Sequence, residues 1–305
     1  YKRVTKFYCE PFGKCVLSKN GKKIKSRIFN KKEIYDYKNY NKTVKYPSHS
    51  YTGTLKYGSP HGKGTLFSST GSKRYEGNFN SGSIRKGITF RLNKTKEYEG
   101  TFKNWKPHGK GIYYYTNGSK ELVANWKNGK LNGEGTEFRP NGTKEYEGTF
   151  KNGLRHGKGI YYYPNGSKYE GNFKMRPHGT GTIFNPIGSK RYEGNFKSGY
   201  LGKGTTFRLN GTKKYEGNHK NWKPHGKGIR YYTNGIRKLF EGSFNNGKEY
   251  GEGTAFRPNG SKIYKGHWKN GKMNGQGIHY RPNGTKEYEG NYYKIKRHGQ
   301  GILYE

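Results

Sequence analysis

The segment His156–Phe173, HGKGIYYYPNGSKYEGNF, joins a Gly-x-Gly, three consecutive tyrosines, an Asn-Gly pair and a Tyr-Glu-Gly-x-Phe motif. Tyr-Glu-Gly or a close variant begins at Tyr51, Tyr75, Tyr98, Leu122, Tyr146, Tyr169, Tyr192, Tyr215, Phe240, Tyr264 and Tyr288, with successive starts 23 to 25 residues apart. Within one unit, Tyr146-Glu147-Gly148-Thr149-Phe150-Lys151 alternates aromatic or glycine with polar residues, the period of a strand with one packed face. Asn152-Gly153 reads as a turn, Gly157 to Tyr163 as a second strand, and Pro164-Asn165-Gly166-Ser167 as the turn into the next unit. Each repeat is thus expected to be a β-hairpin.

A lone hairpin is marginal in water, so its aromatic face must be buried against the neighbouring unit. The expected fold is all-β: an elongated single-sheet β-meander of about eleven stacked hairpins. The packing positions are Tyr98, Gly100 and Phe102; Tyr146, Gly148 and Phe150; Tyr169, Gly171 and Phe173; and Tyr192, Gly194 and Phe196. Gly157 and Gly159 either leave room for aromatic rings or supply the positive φ of a tight turn.

A longer period overlies the first. GSKRYEGNF at Gly71 recurs at Gly188, NWKPHGKGI at Asn104 recurs at Asn221 and FRPNG at Phe138 recurs at Phe256, displaced by 117 or 118 residues. A five-repeat block is therefore duplicated. Its departures are duplicated with it: the repeats at Tyr75 and Tyr192 are each one residue short before Lys86-Gly87 and Lys203-Gly204, and both lack the histidine.

Composition agrees with a thin, repetitive architecture. Only 28% of the 305 residues are hydrophobic, too little for large central cores, whereas 16% are aromatic and periodically placed, which disordered chains do not show. Sixty-one Lys and Arg against 20 acids give a formal net charge of +41, which calls for an acidic partner: anionic lipid, nucleic acid or acidic protein. Two cysteines, Cys9 and Cys15, form neither a disulfide framework nor a zinc spacing, and a reducing compartment is expected. No stretch approaches the apolar length of a bilayer-crossing helix. Two alanines and abundant Lys, Asn, Tyr and Ile point, through the codon table, to an AT-rich genome.

Tyr-Glu-Gly-x-Phe, then Asn-Gly-x-x-His-Gly-x-Gly, an aromatic strand and a second Asn-Gly, within about 23 residues, resembles the MORN (membrane occupation and recognition nexus) repeat over residues 51 to 305. The resemblance implies an elongated single-sheet β-meander and a scaffold that docks other proteins in a cytoskeletal, ciliary or membrane-associated assembly. Residues 1–50 lie outside the clear array and hold 14 Lys and Arg against three acids. They read as a basic segment, a degenerate repeat or cap, with a hairpin turn at Ser18–Lys22.

Several chemistries are disfavoured. His61, His108, His156, His178, His225 and His298 recur in one slot, but two strands separate equivalent positions, far beyond the reach of ligands around one ion. No metal or cofactor is expected. Glu76, Glu99, Glu147, Glu170, Glu193, Glu216, Glu241 and Glu289 share one environment, whereas a catalytic carboxylate pair needs two; cross-strand charge pairing is expected instead. No phosphate loop, nucleophile elbow or kinase signature occurs, so no enzyme is expected. Seven of the eight Asn-x-Ser/Thr sequons fall in the inter-repeat turn, which favours a turn role over glycosylation.

The candidate contact residues are lysines in two rows. Lys103, Lys151, Lys197, Lys220 and Lys269 follow the first strand, and Lys63, Lys110, Lys158, Lys203 and Lys227 open the second. The expected function is a non-enzymatic scaffold docking acidic protein partners, with an anionic membrane surface as a compatible contact. The expected location is cytoplasmic, cytoskeletal or at the membrane periphery. Alternatives are a minor capsid component of a large DNA virus and a peripheral lipid-binding protein. Nucleic acid ranks last, because base stacking needs exposed rings and these alternate inward.

Overall fold

The computed structural model describes residues 6–9, 15–19, 22–27, 42–56 and 58–305. Strands Lys6–Cys9, Cys15–Lys19 and Lys22–Arg27 form a three-stranded antiparallel sheet, and Lys19 pairs with Lys22 across the expected Ser18–Lys22 turn. Most of the remainder of residues 1–50 lies outside the described residues, as does the reading of that segment as a cap.

The chain divides into two compact units, Tyr1–Glu145 with Phe150–Gly153 and Tyr146–Thr149 with Leu154–Glu305. Both are all-β, and from Lys42 onward the strands pair antiparallel with their sequence neighbours in an open meander, separate from the three-stranded sheet. The first unit holds the hairpins His49–Lys56/Ser59–Ser68, Lys73–Asn80/Ser83–Phe90, Lys96–Lys103/Lys106–Tyr114 and Lys120–Lys127/Lys130–Phe138, preceded by strand Lys42–Lys45. The second holds Lys168–Lys174/Arg176–Phe184 and five more, ending with Lys286–Tyr293/Lys296–Leu303. Strand Lys144–Lys151, divided between the units, and Leu154–Tyr162 complete eleven hairpins, one for each motif start.

The core is a row of rings on one face. Tyr51, Tyr98, Tyr146, Tyr169, Tyr192 and Tyr264 are at most 1% exposed although, among the described residues, no second layer covers them. Each ring lies flat along its own strand over the glycine two residues on and the glycine paired with it. A Cβ on Gly159 would sit 2.5 Å from the Tyr146 hydroxyl, and one on Gly171 would sit 2.5 Å from the Tyr169 hydroxyl and 2.6 Å from the Gly181 Cα. The phenylalanine of each motif then closes the side of the ring. In the second unit Phe173 stands edge-on to Tyr146 at 4.9 Å and to Tyr169 at 5.2 Å, and Phe196 to Tyr169 at 4.8 Å and to Tyr192 at 5.2 Å. Such pairs add roughly 0.5–1.5 kcal/mol each beyond burial. His219 takes the phenylalanine place between Tyr192 and Tyr215, at 5.3 and 5.0 Å, and burial lowers its pKa, favouring the neutral ring.

The two open readings of the glycines both hold, at different positions. Gly159 is the space beneath the ring. Gly157, at φ 69°, lies where the second strand carries extra residues. In the next repeat the register runs Gly171 to Gly181 and then Phe173 to Pro177, so Asn172 alone faces three residues. This bulge lies inside the second strand, which therefore begins at Leu154 rather than at Gly157. The bulge removes the Asn172 carbonyl from the ladder, and the Tyr169 hydroxyl donates to it at 2.9 Å. The same i to i+3 bond recurs from Tyr51, Tyr75, Tyr98, Tyr146, Tyr192, Tyr215, Tyr264 and Tyr288. Tyrosine thus serves twice in nine of the eleven repeats, by its ring and by its hydroxyl; Phe240 keeps the buried ring alone, and Leu122 keeps neither.

The turns follow their sequences. Asn152-Gly153, at φ 53° and 89°, is the two-residue left-handed turn that suits the twist of a hairpin. In the inter-repeat turns the sequon asparagine accepts from the backbone N–H and the hydroxyl two residues on, as Asn165 does from Ser167 at 3.0 and 2.6 Å. Asn93, Asn117, Asn141, Asn210, Asn259 and Asn283 repeat this, so the Asn-x-Ser/Thr pattern has a turn explanation at all seven positions.

Two outcomes follow from this core. Tyr169→Phe leaves the Asn172 carbonyl without a partner and is expected to cost about 1–2 kcal/mol in guanidinium unfolding, and Gly171→Ala distinctly more, because backbone must move; a Gly171→Ala midpoint equal to that of the parent would refute the packing account. Burial also raises the phenol pKa of Tyr75, Tyr192 and Tyr215 from 10.0 to about 12. The folded state favours the neutral phenol, so this contribution is intact below pH 10 and is lost as pH climbs towards 12. In an alkaline titration followed by phenolate absorbance, exposed tyrosines should ionise first and the buried set together with loss of the β circular dichroism signal.

Candidate functional site

On the face opposite the rings the lysines sort into three kinds. Most of those opening the first strands are engaged: Lys73 meets Glu76 at 2.7 Å, Lys190 meets Glu193 at 2.9 Å, Lys213 meets Glu216 at 3.1 Å and Lys238 meets Glu241 at 2.8 Å. The pairing runs along one strand, with an aromatic contributed from the next. Lys213 lies 5.6 Å from the Tyr231 ring centre, and the Tyr231 hydroxyl donates to the same Glu216 carboxylate at 3.0 Å. Lys96, Glu99 and Tyr114 repeat the triad, as do Lys286, Glu289 and Tyr304. The hydrogen bond from Lys213 is the main reason the Glu216 carboxyl titrates below its ordinary range, and the bond from Lys286 does the same for Glu289. The glutamates are thus charge partners, as expected, but within the strand rather than across it.

The second kind is the row Lys63, Lys110, Lys158, Lys203 and Lys227, all exposed and none in an ion pair. Their register partners are Asn78, Asn125, Asn172, Asn218 and Ser243, which offer no charge. Lys86, set between Asn78 and Thr101, belongs to the same row; the short repeat that carries it hides it in a plain reading of the sequence. The third kind lies at the hairpin turns. Lys103, Lys220 and Lys269 face Lys106, Lys223 and Lys272 directly across their hairpins, and Lys151 and Lys197 occupy the same position in theirs. Like charges opposite one another in a sheet are unfavourable. Both rows are therefore accessible cations that the fold itself does not neutralise.

Other cations counted in the net charge are consumed structurally, and sequence reasoning missed them. Arg257 donates to the Lys262 carbonyl within its turn and to the Tyr280 carbonyl of the following hairpin, the latter at 2.6 Å. Arg91, Arg208 and Arg281 make the same clamp, and Tyr115 and Tyr232 hydroxyls reach Phe138 and Phe256 carbonyls at 2.8 and 2.7 Å in the equivalent place. The only available signal was recurrence of Arg or Tyr one residue after the second strand. The acceptors are backbone atoms and leave no trace in side-chain identity.

The histidines of the His-Gly slot sit at the bulge, and their carbonyls serve it: Thr149 donates its hydroxyl to the His156 carbonyl, and Thr101 to that of His108. Among the described residues no group of three or more His, Cys, Asp or Glu is placed to hold a metal, and no helix is long and apolar enough to cross a membrane.

The family model for the MORN repeat matches residues 51–73, 98–120, 124–144, 146–168, 215–237, 240–262, 264–286 and 288–304, more than half of the chain. The chain belongs to the MORN repeat family. Such repeats characterise structural or membrane-associated proteins, and the all-β repeat is a structural or binding module. Comparison with curated proteins gives no match. The hairpins beginning near Tyr75, Tyr169 and Tyr192 fall outside the matched segments but have the same architecture. Two of them have a bulge one residue shorter, and the third has a single-residue turn at Met175.

The division of labour among cations is measurable in stability. Arg257→Lys, which loses the forked clamp, is expected to lower stability by about 2 kcal/mol, whereas Lys269→Gln, which relieves repulsion with Lys272, should be neutral or slightly stabilising at low salt. Comparing denaturation midpoints at low and high ionic strength tests both.

Proposed function

We propose that this chain is a non-enzymatic scaffold whose lysine rows dock an acidic protein partner within a larger assembly. The observation that carries the reading is the contrast between two lysine sets on one face: one held by glutamate and aromatic partners, the other exposed, outside any ion pair and recurring in six of the eleven hairpins. Where the lysines fall on successive hairpins, as Lys63, Lys86 and Lys110 do in the first unit and Lys203 and Lys227 in the second, two strands per repeat space them at roughly 10 Å; Glu134, Thr180, Glu252, Gln276 and Gln300 hold the same slot elsewhere. Solubility does not require a net charge of +41, which is far above what a stable soluble domain needs. The eight glutamates support the non-enzymatic reading, since their shared environment offers no pair of carboxyls with divergent acidity. An anionic membrane is the second reading, favoured by the same free lysines, each worth about 1 kcal/mol near a charged bilayer.

The test uses two variants of equal charge. One carries Gln at Lys110, Lys158, Lys203 and Lys227; the other carries Gln at the glutamate-paired Lys73, Lys190, Lys213 and Lys238. Binding of poly-L-glutamate is measured beside phosphatidylserine and phosphatidylcholine vesicles across a salt series. Weakening by about tenfold in the first variant, and clearly less in the second, supports the row. Equal weakening would reduce the effect to net charge. Binding to phosphatidylserine vesicles alone would transfer the row to lipid.

A further inference from the structure

Ten two-residue hairpin turns and one single-residue turn would all be served by glycine at the left-handed tip, and most are: Gly82, Gly129, Gly153, Gly199, Gly247 and Gly271 occupy it at φ between 80° and 89°. Four tips depart from this. Trp105 (φ 62°), Met175 (φ 65°), Trp222 (φ 63°) and Ile295 (φ 83°) hold the left-handed conformation with large apolar side chains, 53%, 57%, 47% and 50% exposed. A bulky or β-branched residue there is strained, and roughly half of the side chain still faces solvent. The four are not scattered. They fall on the third, sixth, eighth and eleventh hairpins: Trp222 repeats Trp105 one five-repeat block later, and Ile295 lies in the hairpin that corresponds to that of Met175, in a turn one residue longer.

About half of each side chain remains exposed, and none of the four belongs to the buried core. At every glycine tip named above the tip N–H bonds the preceding hairpin, as Gly129 does to the Pro107 carbonyl at 2.9 Å, and Met175 and Ile295 do likewise. Trp105 and Trp222, each following one of the two shortened hairpins, lack this bond. The Trp222 indole is instead held 4.9 Å beneath the Arg191 guanidinium, which fixes the ring without covering it. Cations flank all four tips: Lys103 and Lys106, Lys174 and Arg176, Lys220 and Lys223, Lys294 and Lys296.

We infer that Met175, Trp222 and Ile295 of the second unit are anchor residues that enter apolar slots, rimmed by carboxylates, on an acidic protein running along that unit's turn edge, and that Trp105 is an anchor of the same kind in the first unit. The inference rests on the proposed scaffold function and locates its contact. Large apolar anchors surrounded by charge are the usual centres of binding energy at protein interfaces. A bilayer presents one continuous apolar layer and would reward an apolar residue at every tip, whereas these are separated by glycine tips. In the second unit, Met175, Trp222 and Ile295 stand two and three hairpins apart, on the order of 20 and 30 Å along the sheet, a spacing for discrete slots.

The experiment compares the full chain with a variant carrying W105G, M175G, W222G and I295G. The probes are a glutamate-rich peptide bearing leucines, an oligoglutamate of equal charge, and vesicles of phosphatidylserine with phosphatidylcholine. The glycine variant is expected to unfold at a higher temperature than the parent, because each tip gains its preferred residue. The parent should bind the leucine-bearing peptide at least about tenfold more tightly than oligoglutamate, with a blue shift of tryptophan fluorescence, and the variant should bind both alike. A variant less stable than the parent would show that the side chains serve the fold and would overturn the inference. Equal affinity of the parent for both peptides would also overturn it while leaving the lysine scaffold intact. A blue shift with vesicles but not with the peptide would reassign the tips to lipid. Failure of both peptides to bind would remove the scaffold reading itself.

Discussion

The structure depends on one arrangement: a tyrosine lying along its own strand over two paired glycines, with its hydroxyl on the carbonyl that a bulge has released. A single sheet has no opposing layer to bury its rings, and this geometry replaces that layer. The ring covers the sheet, the glycines remove the side chains that would lift it, and the next phenylalanine closes the remaining side. The fourth repeat shows the coupling in reverse. There Leu122 replaces the ring and Ala124 replaces the glycine, because a shorter side chain no longer forbids a Cβ beneath it. Ring and glycine change together because they compete for one volume.

The same constraint explains what was legible in the sequence. Tyr146, Gly148 and Phe150 fix strand, face and period, and Asn152-Gly153 fixes the turn, so the hairpin could be read before its coordinates were known. The bulge could not be placed. Gly157 and Gly159 are identical in sequence, yet one is set by backbone dihedral and the other by a ring from the neighbouring strand. The role of the tyrosine hydroxyl was hidden because its acceptor is a carbonyl, and the arginine clamps at Arg91, Arg208, Arg257 and Arg281 were hidden for the same reason. Side-chain identity records what projects from the backbone; it does not record which carbonyls the ladder has released.

Charge divides along similar lines. A net +41 read from composition treats every cation alike. In the fold, turn arginines are held by carbonyls and strand-opening lysines by glutamates, and both leave the surface available to partners. What remains is smaller and ordered: a row in mid-strand opposite neutral amides and pairs of lysines facing each other at the turns. The mid-strand row was visible as a recurrent Gly-Lys-Gly. Its lack of ion pairs was not, because most of the motif glutamates are taken by the lysine that opens their own strand; even Glu216, which feels the charge of Lys203, is bonded to Lys213.

Departures from a repeat carry different information from the repeat itself. Where the ring needs glycine, packing enforces the choice, and conformity at Gly159 or Gly171 says only that the sheet is intact. At the hairpin tips nothing in the core enforces a side chain, and the backbone conformation favours glycine. Four large apolar residues stand there nonetheless, each strained, each half exposed, and each placed in the same hairpin of a duplicated block. Copying alone accounts for their recurrence but not for their presence, since glycine at the same positions would satisfy the turn better. The proposed anchors thus sit where the backbone favours glycine and half of each side chain faces solvent, and contact with another molecule at that edge would offset the strain.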